Sequence, residues 1–129
     1  MRHPNSDVLV EGEKQFLMFL DILREEEGVE ISVEPLARFE PVRFDEELAG
    51  TIECAAKKRG LSALRITSGA GHDAQMLARV CKAAMIFVPS KDGLSHNPAE
   101  YTSDDQLLEG ARILLDVVAE RLLRTGSVR

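Results

Sequence analysis

Two of the three histidines stand where an imidazole could take part in chemistry. His72 follows a glycine-rich turn, and His96 lies among small and polar residues in the segment 90–102. Neutral imidazole is a common protein ligand of zinc, and a side chain in such a segment is not needed for packing. The start of a helix disfavours imidazolium, so a neutral His72 could donate a hydrogen bond to a substrate anion. His96 is therefore a candidate metal ligand, and His72 is a candidate substrate-binding residue.

Each of these residues also has a purely structural interpretation. His72 could simply form a hydrogen bond within its own loop. His96 could be a loop side chain that binds no ligand. Glu100 is a candidate partner that orients the His96 ring, since a ligating imidazole usually donates its second N–H to a carboxylate or a carbonyl. The alternative for Glu100 is a solvated loop charge. Asp73 is more typical of a helix-dipole partner than of a catalytic base.

The elements predicted around these residues belong to an α/β fold. Residues 62–66 are predicted to form a strand that leads into a turn with two glycines, and a helix is predicted over 73–80. Such a turn can receive an anion, because the first N–H groups of a helix lack internal partners. Residues 84–88 are apolar throughout, which is typical of a parallel strand buried on both faces. The segment of His96 follows at the carboxyl end of this strand, the edge where open α/β sheets bind ligands.

Two longer helices complete the predicted α/β domain. Asp45 is the expected N-cap of a helix over 46–59 that Gly60 ends, and Ser103 opens a capping box for a helix over 104–123. The apolar face predicted for the last helix carries Leu107, Ala111, Leu114, Leu115, Val118 and Leu122. The alternation of helices and strands after residue 45 indicates a parallel sheet.

A smaller unit is predicted before this domain. Residues 1–7 have no helical period, a helix with a broad apolar stripe is predicted over 11–27, and residues 29–33 alternate like a strand with one wet face. A helix followed by such a strand suggests half of a small α+β sandwich. The predicted domains are therefore 1–40 and 41–129.

Composition limits the classes of function. The chain has 129 residues, 44% of them hydrophobic, with a net charge of -6 and a pI near 5.1. An acidic chain is a poor match for nucleic acid, and no export signal or membrane span is recognised, so a cytoplasmic protein is expected. Cys54 and Cys81 lack the CxxC spacing of a metal or redox site, and the burial preference of cysteine predicts two buried free thiols.

A second motif points to a different class of protein. The segment from Gly69 to Ala74 satisfies the dinucleotide-binding pattern G-x-G-x-x-G/A, with Asp92 roughly twenty residues further on. Asp92 lies in a loop beyond the next predicted strand, whereas the ribose-binding acid belongs at a strand tip. A nucleotide-binding module is therefore the weaker alternative.

Three segments, 68–75, 84–90 and 93–102, resemble the C-terminal signature of the metal-dependent amidohydrolases that include N-carbamoyl-L-amino-acid hydrolase, allantoate amidohydrolase and β-ureidopropionase. These enzymes are relatives of aminoacylase and the zinc carboxypeptidases. Residues 1–4 resemble the end of a strand in the lid domain of that family, so the similarity runs through the chain in order. Lys82 departs from the proline usual before the buried strand.

The resemblance implies a fold and a set of site residues. It implies the C-terminal part of a parallel-sheet, zinc-peptidase-like catalytic domain, preceded by half of a small α+β lid or dimerisation domain. His96 matches the last metal-ligand histidine, and Arg2 matches the lid arginine that grips the substrate carboxylate. Gly69, Gly71 and His72 match the loop that lines the substrate pocket.

The resemblance also implies an activity, which is hydrolysis of a linear C–N bond in an N-carbamoyl amino acid, a ureido acid or allantoate, with Zn or Mn as cofactor. The other metal ligands and the general-base glutamate of the family belong to its N-terminal half, so this chain is expected to be inactive alone. The alternative is a catalytically dead interaction or structural remnant. The apolar stripe of the first helix and the open strands predict a homo-oligomer, with neither nucleic acid nor membrane as partner.

Overall fold

The computed structural model of the protein describes the backbone of residues 1–126 and the side chains of residues 1–124. This part of the chain is helical. Its elements are α1 (Ser6–Glu27), α2 (Glu46–Lys58), α3 (Ala74–Leu77), a 3₁₀ turn (Lys91–Gly93) and α4 (Asp104–Gly126). None of these helices is long and apolar enough to cross a membrane.

The strands predicted over 29–33, 62–66 and 84–88 do not form within residues 1–126. A strand exists only when its backbone pairs with a neighbour, and no backbone hydrogen bond joins these segments in the described part of the chain. Their β-branched and apolar residues favour a sheet only where other strands are present to pack against. The predictions of a parallel sheet and of a strand in the lid are therefore not confirmed.

The described chain divides into two compact units. The first comprises Met1–Arg43 with Thr67–Gly71, and the second comprises Phe44–Ile66 with the chain from His72 onward.

In the first unit, α1 begins earlier than predicted. The Asn5 side chain accepts a hydrogen bond from the Asp7 N–H at 2.8 Å, and this cap starts the helix at Ser6 although residues 1–7 show no helical period. Gly28, with φ of 61°, ends the helix. Arg24 donates from Nε to the Ile31 carbonyl at 3.0 Å, which ties the segment after α1 back to the helix.

The apolar stripe predicted on α1 is solvent-exposed. The helix contains no buried residue, and Phe16 and Phe19 are 50% and 53% exposed. Isolated apolar side chains are common on protein surfaces, but a row of them along one helix is not.

In the second unit, α2 and α4 pack against each other around a small core. Asp45 caps α2 as predicted, accepting from the Leu48 N–H at 2.8 Å. The core consists of Ala55 and Ala56 from α2 with Ile113 and Val117 from α4. The alanines allow the two helices to approach closely, because they add no side chain beyond Cβ.

The apolar face predicted for α4 does not pack in the small core. Ile113 and Val117, one helical turn apart, are the residues that α4 buries against α2. The residues predicted for that face are all exposed: Leu107, Ala111, Leu114, Leu115, Val118 and Leu122. α4 therefore has apolar residues on two sides, and the composition alone does not say which side meets α2.

The second apolar side of α4 borders a groove of about 720 Å³. Other lining residues are Ile86 and Val88 from the segment 84–88, and Leu48 and Ile52 from α2. Gly110 of α4 lies so close to this segment that a Cβ placed on it would be 2.5 Å from Val88 Cγ1.

Two smaller predictions are also corrected. The helix expected over 73–80 is the single turn of α3, followed by further turn hydrogen bonds such as Cys81 N–H to the Leu77 carbonyl at 2.9 Å. Cys54 and Cys81 are free thiols as predicted, but both are exposed rather than buried. Cys54 is exposed because the side of α2 that packs in the core carries Ala55 and Ala56.

Candidate functional site

The candidate residues fall into two groups. Arg2, Gly69 and Gly71 belong to the first compact unit, and His72, His96 and Glu100 belong to the second. Within each group, some of the candidates lie next to each other.

In the first unit, the side chain of Arg2 lies beside the glycine turn. A Cβ placed on Gly69 would be 3.9 Å from Arg2 Cδ, so the arginine stem passes the turn at van der Waals distance. Arg2 is exposed and forms no ion pair with any residue of the described chain. A guanidinium presents a planar fork of donors that matches a carboxylate, so this end of the first unit can bind one.

The glycines of this turn provide space. Neither Gly69 nor Gly71 has a positive φ, so the backbone conformation does not itself require glycine. Around Gly71, no atom lies within 4 Å of the position that a Cβ would take. A ligand could therefore approach the backbone of the turn closely.

In the second unit, His72 forms the local hydrogen bond of its structural interpretation. Its Nδ1 accepts from the Ala74 N–H at 3.0 Å, which places the ring at the start of α3. In the neutral ring, a nitrogen that accepts leaves the proton on the other nitrogen. The geometry therefore assigns the proton to Nε2, and that N–H remains able to donate to an anion.

His96 lies on a closed loop. The segment 90–102, here called the histidine loop, is joined at its base by a hydrogen bond from the Lys91 N–H to the Tyr101 carbonyl at 2.8 Å. The Thr102 hydroxyl adds a second bond, to the Pro89 carbonyl at 2.9 Å. Compact loops of this length with neighbouring ends often carry function.

The chain that leads to the histidine loop contacts α2 through Lys82. Lys82 donates to the Glu47 carboxylate at 2.5 Å, and this bond lowers the pKa of Glu47 and raises the pKa of Lys82. The Asp45 N–H donates to the Ala83 carbonyl at 2.9 Å beside it. These bonds hold the chain that leads to the histidine loop against α2. The only feature of the sequence that drew attention to Lys82 was the departure from the proline that the family usually has at this position.

Inside the loop, Glu100 contacts the backbone of His96 instead of its ring. Glu100 Oε2 accepts from the His96 N–H at 2.8 Å, and His96 has a φ of 55°. The His96 side chain is exposed, and its ring nitrogens form no hydrogen bond with any residue of the described chain. Both nitrogens are therefore accessible to a ligand.

The described residues do not form a metal site by themselves. His96 fits the role of one donor, because its imidazole is exposed and accessible. Structural and catalytic zinc sites use three or four protein donors, and no group of three or more His, Cys, Asp or Glu side chains in residues 1–126 is arranged to hold a metal ion.

The geometry of the glycine turn does not favour dinucleotide binding. The dinucleotide-binding pattern requires a strand before the turn and a helix whose N-terminus faces the phosphates of the dinucleotide. Within the described chain, no strand precedes Gly69, and α3 is only four residues long. Asp92 lies in the 3₁₀ turn with φ of 57°, and not at the end of a strand.

The family of the protein follows from a match between its sequence and a protein-family model. Residues 4–120 match the model of peptidase family M20/M25/M40. The chain belongs to this family.

Two amidohydrolases are similar in sequence to most of this chain. The chain is 38% identical over 118 residues to an allantoate amidohydrolase of Bacillus subtilis (strain 168), covering 92% of this chain and 29% of that protein. It is 44% identical over 93 residues to an N-carbamoyl-L-amino-acid amidohydrolase of Rhizobium meliloti, covering 72% of this chain and 22% of that protein. The resemblance identified from the sequence motifs is thus confirmed.

A solved structure agrees with these relatives. The crystal structure of an amidase of the hydantoinase/carbamoylase family from Burkholderia multivorans superposes with a TM-score of 0.86 at 34% identity. The superposed region comprises 92% of this chain and 29% of the amidase chain. The protein therefore spans less than a third of the length of the relatives it matches.

Proposed function

We propose that this chain is the C-terminal part of a metal-dependent amidohydrolase that acts on linear, non-peptide C–N bonds. The observation that carries the proposal is the 38% identity to an allantoate amidohydrolase over 92% of the chain. Similarity to an N-carbamoyl-L-amino-acid amidohydrolase supports the same reaction class. The substrate class is a small ureido or carbamoyl amino acid, because both names describe hydrolysis of such a bond.

Each candidate residue has a role in this proposal. His96 contributes one ligand to a divalent ion, Zn or Mn, whose other ligands belong to the complete enzyme. Such an ion supplies Lewis-acid polarisation of the scissile group when it is bound. Arg2 binds the substrate carboxylate, and Gly69 with Gly71 leaves room for the substrate beside the backbone. His72 donates from Nε2 to the substrate, which its Nδ1 hydrogen bond to the Ala74 N–H at 3.0 Å permits.

The proposal extends to architecture and assembly. We assign residues 1–40 to a lid or dimerisation domain and residues 41–129 to the catalytic domain. The segments 62–66 and 84–88 become strands of a parallel sheet where the complete enzyme supplies their neighbours. We further propose a homo-oligomer, since α1 presents exposed phenylalanines that association could bury. We also propose a cytoplasmic location.

The first experiment assays the purified 129-residue chain with N-carbamoyl amino acids and allantoate in the presence of Zn²⁺ or Mn²⁺. We expect no turnover, because a single imidazole does not hold these ions tightly. Turnover that a chelator abolishes and His96→Ala removes would contradict the assignment of the chain as one part of the site.

The second experiment tests the role directly in a chimera, in which this chain replaces the matching 118 residues of the Bacillus subtilis enzyme. We expect bound metal and hydrolysis of allantoate, and loss of both in His96→Ala. His3→Ala is the matched control, because His3 is an exposed histidine with no proposed role, and it should leave both unchanged. A folded chimera that binds metal equally well with and without His96 overturns the proposal and favours a structural remnant.

A further inference from the structure

The backbone of His96 has a conformation that is uncommon in residues other than glycine. Its φ of 55° lies in the left-handed region, where Cβ crowds the following carbonyl in residues other than glycine. Such residues persist only where surrounding groups hold them, and they cluster at functional sites.

Glu100 is the group that holds this residue. Its Oε2 accepts from the His96 N–H at 2.8 Å, and a hydrogen bond to a carboxylate is stronger than one between neutral groups. No other described residue is hydrogen-bonded to this N–H.

Glu100 is itself held in place by the turn between the two residues. Its N–H donates to the Asn97 carbonyl at 2.9 Å, and the Asn97 side chain accepts from the Ala99 N–H at 2.9 Å. The turn fixes the backbone of Glu100, and the carboxylate then reaches back to His96. The histidine loop is closed at its base as well, so this arrangement sits on an anchored segment.

The backbone conformation sets the direction of the His96 Cα–Cβ bond, and rotation about χ1 and χ2 then places the imidazole. The direction of the Cα–Cβ bond follows from φ and ψ, and the ring has no hydrogen bond to a described residue that could redirect it. A return of His96 to an ordinary extended φ would redirect Cβ, and it would thereby change the positions that the imidazole can reach in its staggered rotamers. This differs from the usual arrangement, in which a carboxylate orients a ligating histidine through its second ring nitrogen.

We propose that Glu100 is a positioning residue that aims the His96 imidazole by holding the His96 backbone in the left-handed conformation. The local contact stands by itself, and its consequence for metal binding rests on the proposed function. The two parts are therefore tested separately.

The local part is tested by NMR on the 129-residue chain and two variants. Glu100→Gln keeps an oxygen that can accept from the His96 N–H, and Glu100→Ala removes it. We expect slow exchange of the His96 amide and a strong NOE between its amide and α protons, as a positive φ produces, in the native chain and in Glu100→Gln. In Glu100→Ala, exchange should accelerate by about tenfold or more and the NOE should weaken.

The matched control for this test is Glu26→Ala, which removes an exposed glutamate of α1 that has no hydrogen-bond partner in the described chain. It should leave the His96 amide unchanged, and far-UV circular dichroism should show the same helix content in every variant. A Glu100→Ala chain that keeps slow exchange and the strong NOE would overturn the proposal.

The functional part is tested in the chimera with the Bacillus subtilis enzyme, with Zn²⁺ as the probe and dissociation constants measured by competition with a chelator. Glu100→Ala should weaken Zn²⁺ binding by about tenfold or more, and Glu100→Gln should recover most of the affinity. If Glu100→Ala alters the His96 backbone but not the Zn²⁺ affinity, the positioning proposal fails and the proposed function stands. If even the native Glu100 chimera does not bind Zn²⁺ through His96, the proposed function fails while the backbone contact is retained.

Discussion

Gly110 offers the sharpest test of how the groove in the second unit is packed. It lies inside α4, where helix propensity alone predicts that alanine would be better than glycine by about 1 kcal/mol. The structure predicts the opposite for Gly110→Ala, because the new Cβ would lie 2.5 Å from Val88 Cγ1. Valine is branched at Cβ and stiff at χ1, so it cannot turn this methyl group away without cost.

The expected magnitude follows from these opposing effects. Inserting a carbon into an occupied site typically costs about 1–3 kcal/mol, which the propensity gain of about 1 kcal/mol only partly offsets. We therefore expect Gly110→Ala to lower the free energy of unfolding by roughly 0–2 kcal/mol. The loss should reflect displacement of the segment 84–88 from α4.

Gly50→Ala is the matched control. Gly50 lies inside α2, and a Cβ there would be 3.7 Å from Arg65 Nη2, an ordinary contact with the end of a flexible side chain. It should raise the free energy of unfolding by up to about 1 kcal/mol. Urea unfolding followed by far-UV circular dichroism separates the two variants, and equal stabilisation by both would refute the close approach of Val88 to α4.

Three further predictions concern charge, tautomer and assembly. The pKa of Asp116 is lowered by its hydrogen bonds from Arg59, so the pair stabilises the fold above the unfolded-state pKa and loses this effect as the pH falls through the lower folded-state pKa. Asp116→Asn should flatten the acid-induced fall in the urea midpoint between about pH 5 and pH 2, and an unchanged slope would contradict the pairing. For His72, ¹⁵N NMR at neutral to alkaline pH should show Nε2 protonated and Nδ1 unprotonated, and the reverse pattern would exclude the bond to the Ala74 N–H. Light scattering at micromolar concentration should give a mass above 14.3 kDa, whereas a stable mass of 14.3 kDa without binding of a hydrophobic dye would argue against association.

The ends of α2 were predictable because they depend on local chemistry, whereas the Asn5 cap of α1 and the short length of α3 were not predicted. Asp45 caps α2 through a bond to the Leu48 N–H at 2.8 Å, and Gly60, with φ of 73°, follows its end. Such signals act over a few residues and need no tertiary structure. The family, too, could be identified from short motifs, since the residues around His72 and His96 form a specific pattern.

Strand formation and the packing of α4 were not predictable in the same way. The segment 84–88 has the composition of a buried strand, but a strand requires a partner backbone, and none pairs with it in the described chain. α4 has apolar residues on two sides, and only its packing on α2 decided that Ile113 and Val117 are the buried ones. Both outcomes depend on neighbours that are distant in sequence.

The amino-acid sequence by itself indicated the cap of α2 and the family, because both rest on residue type and short spacing. The candidate site residues were predicted from the same motifs and from the resemblance to the family. The tertiary structure decided what those residues contact. It placed Arg2 beside Gly69, bound the His72 ring to the Ala74 N–H at 3.0 Å, and directed Glu100 to the His96 N–H at 2.8 Å. The physical reason is that a carboxylate can reach either a ring or a backbone donor, and only the fold of the histidine loop selects between them.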